Sequence, residues 1–270
     1  MLLRMGTTRR AIECAVRSGE LVRHARGYTA PGAPAELVAA ARWGGGVGCV
    51  SALHLHGLPL LGRPSPPHLL LASSRPTRGV RVHRAAAAWG VQDVLPAAAQ
   101  ALRCLPRDDA LVVADAVVRH GVDADLLART VGPQPGSSAG WVLRHLDPRS
   151  ESPIESLLRA VLIDLGASRI RPQVRLPGIG RVDLLVADWL VLEADGFASH
   201  GTRRGFETDR GRDAAAARLG LLTLRFTRED LTLDRSAVAQ TVATVLARRR
   251  RSTFRLAGPG TCPESTQLEP

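Results

Sequence analysis

The sequence predicts an α+β protein whose back half is an α/β unit with the element order α-β-β-β-α-β-α. Three observations carry this. A capped amphipathic helix begins at Ser152. Three short apolar strands follow, two of them joined by the tight turn in GRVDLLVADWLVLEADG, Gly180–Gly196. A helix stopped by Gly220 then leads into one more strand, LLTLRF. With 270 residues, 45% hydrophobic and 23% charged, the chain has material for one large domain or two ordinary ones.

Residues 1–60 read as a winged-helix-like DNA-binding segment. In TTRRAIECAVRSGELVRHARGYTAPG, Thr7 or Thr8 caps a helix that carries Ile12, Ala15 and Val16 at helical spacing and stops at Gly19. Leu21 to Tyr28 reads as a short hairpin turning near Gly27, with Arg23 and Arg26 on it. Arg9 and Arg10 stand at the helix start. Arginine forks match phosphate oxygens, so these four are the candidate DNA contacts. Two short helices are expected within 35–60. His54 and His56 lie two apart there, which points their rings to different sides of a helix and favours packing or capping over a metal site.

Residues 61–146 read as a mixed α+β region, with strands at His68–Ser73 and Gly79–Ala85 and a helix over Asp109–His120. Gly132–Ser138 and Asp147–Pro153 are rich in turn formers and are the boundary candidates. The second places the C-terminal domain at 147–256. The tail, 257–270, lacks periodicity and is expected to be disordered.

Net charge is +11, and all 36 cations are arginine. Residues 1–150 hold 18 arginines against 10 acids, whereas 151–270 hold 18 against 15, so the front is the more basic half. An anionic partner, nucleic acid first, fits this balance, as does a solvated basic surface. No apolar run approaches the ~20 residues of a membrane helix, and no signal-peptide pattern opens the chain. Cys14, Cys49, Cys104 and Cys262 form no CxxC pair and no zinc-like spacing, which suits unpaired or structural thiols in a reducing cytoplasm.

In the back half, Ser152 caps a helix with Pro153 in first position and Glu155 in the third. Ile154, Leu157, Leu158, Val161, Leu162 and Leu165 form its apolar stripe, and Gly166 ends it. Strands are expected at about 169–176, 181–187 and 190–195. A helix follows near Phe206–Leu219, then a strand at Leu221–Phe226, then a helix from about Arg235 into the run Arg248–Arg251.

Three carboxylates sit on these apolar strands. Alternation puts Asp183 opposite in face to Val182, Leu184 and Val186, and puts Glu193 and Asp195 on one face. Pairing through the Ala187-Asp188-Trp189 turn brings all three toward one sheet end. Two like charges about 4 Å apart repel by roughly 4 kcal/mol at an effective dielectric near 20. Protonation, arginine or a divalent cation would relieve this. An all-oxygen cluster suits Mg²⁺ or Mn²⁺, and such an ion activates water against a phosphodiester. The plain alternative is solvated acids paired with Arg181 or Arg210.

The stretches SPIESLLRAVLIDLG, GRVDLLVADWLVLEADGFASH and FETDRGRDAAAARLGLLTLRFTREDL together resemble the bacterial domain of unknown function 559 (DUF559). That family is similar to very-short-patch-repair endonucleases of the PD-(D/E)xK group. The resemblance covers roughly Ser150–Leu231 and implies a restriction-endonuclease-like αβββαβ core. The front of the chain resembles an AbiEi-type antitoxin-like region with an N-terminal winged helix, which implies a cognate toxin as partner.

Carried over by motif, Asp183 matches the central metal-binding aspartate and Glu193 the acid of the E-x-K element. Glu155 matches a helix glutamate reaching the same Mg²⁺ or Mn²⁺, although its capping-box position explains it equally well. His200 matches a histidine after a glycine. Arg210 and Asp213 match a D-R-x-R-D motif, and an i,i+3 surface pair is their alternative reading. Asp195 stands where the family's group usually has lysine. Charge stabilisation then falls to Arg210, Arg212 or His200, or to a second ion on Asp195, since arginine is no general base. The expectation is a Mg²⁺-dependent DNA endonuclease. Its alternative is a non-catalytic DNA-binding regulator of antitoxin type that keeps the nuclease fold as a scaffold.

Overall fold

The structure, a computed structural model, describes residues 6–72, 78–86, 89–195 and 203–256, without the side chains of 203–210 and 250–256. It divides into two compact units, Met1–Ala160 and Val161–Pro270.

The first unit opens with helix α1 (Arg9–Arg17), capped by Thr8, whose Oγ1 accepts from the Ala11 N–H at 3.2 Å. Strands β1 (Val22–Arg23) and β2 (Tyr28–Thr29) pair antiparallel around a turn closed by His24 N–H donating to the Gly27 carbonyl. Helix α2 (Ala35–Trp43) leads to β3 (Gly46–Val47) and α3 (Cys49–Leu55). His56 ends α3, and its ring makes a 2.9 Å hydrogen bond to the Gln92 carbonyl. Strands β4 (His68–Leu71), β5 (Arg81–Arg84) and β6 (Gly90–Val91) join β3 in a sheet of order β5-β4-β3-β6. The backbone before β3 passes so close to β4 that a Cβ on Gly45 would lie 2.2 Å from the Leu70 carbonyl oxygen.

Helices α4 (Val94–Cys104), α5 (Arg107–Arg119), α6 (Ala124–Val131) and α7 (Ser138–His145) complete this unit. The small side chains Ala97, Ala98, Ala99 and Ala101 let α4 pack against α3, α5 and α6. One core unites them with the sheet, centred on Leu53, Leu69, Leu102, Leu111 and Leu127.

Helix α8 (Pro153–Asp164) contains the point at which the units divide. Ser152 Oγ accepts from the Glu155 N–H at 3.3 Å, as its cap position requires, and Gly166 adopts φ +63° beyond the far end. The stripe residues are buried, Leu165 only partly. Glu155, Ser156 and Arg159 are buried as well, so α8 has no solvated face from Ile154 to Leu162.

The second unit is one four-stranded sheet with its helices. Strands β7 (Ile170–Leu176), β8 (Gly180–Val186) and β9 (Leu190–Asp195) form an antiparallel meander. Helix α9 (Arg203–Arg218) crosses to β10 (Leu222–Thr227), which pairs parallel with β9. The order β10-β9-β8-β7 realises the expected α-β-β-β-α-β sequence. Ala187 and Asp188 both have positive φ, 49° and 64°, and are the central residues of a turn closed by Trp189 N–H donating to the Val186 carbonyl at 3.2 Å, within the three-residue connection from Val186 to Leu190. Helices α10 (Arg228–Leu233) and α11 (Arg235–Leu256) follow. Ile179, Val182, Leu185, Val191, Ala215 and Ala216 form a core between sheet and α9. No helix among the described residues is long and apolar enough to cross a membrane.

Candidate functional site

The acids of β8 and β9 meet where their ladder ends. Pairing runs from Val186↔Leu190 to Leu184↔Leu192. The next position would set Asp183 against Glu193. There the Asp183 carboxylate replaces the backbone ladder, its Oδ2 accepting from the Ala194 N–H at 2.9 Å. On the other side, the β7–β8 ladder passes over Gln173 opposite Asp183, and Gln173 sits at φ +55°. This local distortion corrects the strict alternation expected for β8. Val182 packs in one cluster with Leu185 and Val191 and is not grouped there with Leu184 and Val186.

Glu193 is buried, at 8% exposure, and both of its oxygens are taken by arginine. Arg212 donates from α9 to Oε1 at 2.5 Å, and Arg225 donates from β10 to Oε2 at 2.9 Å. Arg225 also donates to Asp213 at 2.6 Å. Hydrogen bonds that Arg225 donates to Asp213 and to Glu193 hold its guanidinium above its ordinary value, against the pull of burial. Arg212 reaches further, to the Arg181 carbonyl at 3.1 Å. Of the three ways to relieve crowded carboxylates, the fold uses arginine for Glu193. This corrects the plain alternative for Glu193: it is not solvated, and among the described side chains Arg212 and Arg225 hold its two oxygens.

Glu155 Oε2 accepts from the Glu151 N–H at 2.9 Å, a helix-start role of the kind its sequence position suggests. Asp195 is half-buried at the end of β9, in register with Thr227. The Arg210 side chain and all of His200 lie outside the described residues. Asp213 binds Arg225 from β10, a partner its i,i+3 spacing from Arg210 does not indicate. Trp189, beside the hairpin turn, carries the guanidinium of Arg249 over its ring, 5.4 Å from the centroid.

The fit of Mg²⁺ is decided by Glu193. The ion takes carboxylate oxygens at about 2.0–2.1 Å in strict octahedral geometry. Glu193 has both oxygens committed to guanidinium groups and, so arranged, does not fit it. Among the described residues, the acids are not the side chains that gather into an ion-sized group. Cys49, His68, His83 and Cys104 do, in the first unit.

Arg9, Arg10, Arg23 and Arg26 are exposed. Arg9, Arg23 and Arg26 line one 630 Å³ cavity together with Ile12, Tyr28 and Trp89; Arg10 is not among its lining residues. Arg23 is held by the Tyr28 hydroxyl at 3.3 Å, its guanidinium 5.7 Å from the ring centroid. Compared with known proteins, the chain matches no family model, no curated protein and no solved structure.

Proposed function

We propose that the chain is a DNA-binding protein of regulator type. Its N-terminal helix and hairpin hold phosphates, and its C-terminal unit keeps an endonuclease-like order of elements as a scaffold. The observation that carries this is the convergence of Arg9, Arg23 and Arg26, all exposed, on one cavity of the more basic half. Arginine is suited to this work because its planar fork pairs with phosphate in two-point fashion. Glu193, saturated by Arg212 and Arg225, supports the scaffold half of the reading. The antitoxin-like resemblance of the front region makes a cognate toxin the protein partner of this proposal.

The test is anisotropy of a labelled DNA duplex titrated with purified protein at several salt concentrations. Affinity should fall linearly on a log–log plot against salt. The double variant Arg23→Ala, Arg26→Ala should flatten the slope by about 0.9 for each phosphate that the protein no longer neutralises. Absence of binding at low salt, or a double variant indistinguishable from the parent, overturns the proposal.

One observation favours a second reading, metal-dependent phosphodiester hydrolysis. Asp183 and Glu193 flank the opened end of the β8–β9 ladder, the positions the endonuclease resemblance gives to metal-binding acids. Cutting would require Arg212 and Arg225 to leave Glu193. Incubation of duplex DNA, single strands and RNA with Mg²⁺ or Mn²⁺ separates the readings. Cleavage that Asp183→Ala abolishes without unfolding the protein establishes hydrolysis and removes the scaffold.

A further inference from the structure

We propose that Cys49, His68, His83 and Cys104 form a structural zinc site within the first unit. The four come from four elements: Cys49 opens α3, His68 opens β4, His83 lies on β5 and Cys104 closes α4. One ligand atom from each lies within 4.8 Å of all the others. His68 Nδ1 and His83 Nε2 are 3.1 Å apart, and the Cys104 sulfur is 3.9 and 3.8 Å from them. A tetrahedron with Zn–S near 2.3 Å and Zn–N near 2.0 Å has edges of about 3.3–3.8 Å. These three separations need shifts of only a few tenths of an ångström, and the Cys49 sulfur, within 4.8 Å of the other three ligand atoms, would close on them by about 1 Å at most. Two thiolates with two imidazoles is a donor set that selects zinc over the hard cations.

The surroundings argue the same way. Cys49 is fully buried and sits at φ +53°, a costly conformation for a residue with a side chain. It is held there by its N–H donating to Gln92 Oε1 at 2.9 Å, and the tight passage at Gly45 brings β3 and β4 together just before it. The backbone N–H of His68 donates to Ser51 Oγ at 2.9 Å, fixing the start of β4. Four protein ligands leave no open position, which marks the site as structural. The ion would pin the first unit's sheet to α3 and α4. The site is independent of the DNA-binding reading.

The experiment uses the full chain, expressed in zinc-supplemented medium and purified without chelator. Elemental analysis should find about one zinc per chain. His83→Gln and Cys104→Ser should each lower the zinc content at least about tenfold, while the exposed Cys14→Ser leaves it unchanged. Cobalt exchange needs no variant: the Co²⁺ form of the parent protein should show tetrahedral d–d absorption and a sulfur-to-metal charge-transfer band. Parent protein that carries no metal and gives no such band overturns the site. So does an intact mass showing Cys49 and Cys104 joined as a disulfide in the purified chain.

Discussion

Two arginine–carboxylate networks, one in each unit, show how the same chemistry divides by burial. In the first unit, Asp115 on α5 and Arg159 on α8 are 1% and 4% exposed and meet at 2.6 Å. Every donor around Asp115 is used. Asp147 N–H donates to Oδ1 at 2.7 Å and Ser156 Oγ to Oδ2 at 2.7 Å, while Arg159 also donates to the His145 carbonyl and to Ser150 Oγ. In the second unit, Glu193 is buried but its arginines are about a third exposed. The first network is buried on both sides of its ion pair and acts as an internal strut. The second keeps its cations at the surface, where they can exchange a carboxylate for another anion.

The difference predicts unequal costs. Asp115→Ala leaves Arg159 buried without its counter-charge and should destabilise the first unit by about 3–5 kcal/mol. Removing both charges with Asp115→Ala and Arg159→Met should cost less than the sum of the two single changes, because no lone charge remains. Urea denaturation of the four proteins measures this. Strict additivity would mean that the two side chains do not act as a pair.

Glu193→Gln should cost less, about 2 kcal/mol, because Arg212 and Arg225 can turn to water when the charge is removed. The comparison breaks if this change proves as damaging as Asp115→Ala. It sharpens if DNA affinity rises in the same variant, since two guanidinium groups would then be released toward phosphate.

The contrast also marks what the sequence reveals. Helix α8, the β8–β9 hairpin and the stop at Gly220 are legible because their signals are local: Ser152 and Pro153 at a helix start, alternating apolar runs, turn formers at turns. Helix α4 is hidden in the sequence because Pro96 interrupts its pattern, although a proline in the first turn costs a helix nothing. Asp123 and Ser137 do cap α6 and α7, accepting from Leu126 N–H at 2.7 Å and Gly140 N–H at 3.1 Å, so those helices carry a readable signal amid turn formers. The partnerships have none. Asp115 and Arg159 are 44 residues apart, Glu193 and Arg225 are 32 apart, and nothing local distinguishes Arg159 or Arg225 among 36 arginines; Arg212 stands out only through the motif resemblance, which does not name Glu193 as its partner. The same holds for His83, which lies 15 residues from His68 and 21 from Cys104, well outside the paired-cysteine spacing that announces zinc in a sequence.

A third pair has a cation more exposed than either network's and gives the smallest effect. Glu36 on α2 is 1% exposed, yet its partner Arg63 is 55% exposed and grips it with two bonds, 2.8 and 2.9 Å. Those hydrogen bonds hold the Glu36 carboxyl below the ordinary range, against the opposing pull of burial. A lowered value means that the folded state binds the proton less readily than the unfolded chain. The resulting stabilisation is therefore complete above the unfolded value, about 4.3, and disappears as pH falls through the folded one. Glu36→Gln should cost on the order of 1 kcal/mol between pH 6 and 8, and the gap to the parent should close as pH drops below about 4. Urea midpoints for both proteins at pH 7, 5 and 3.5 measure it. A gap that stays constant with pH would place the contribution of Glu36 in packing, and a buried carboxylate with an exposed arginine would then behave like the sealed pair of the first unit.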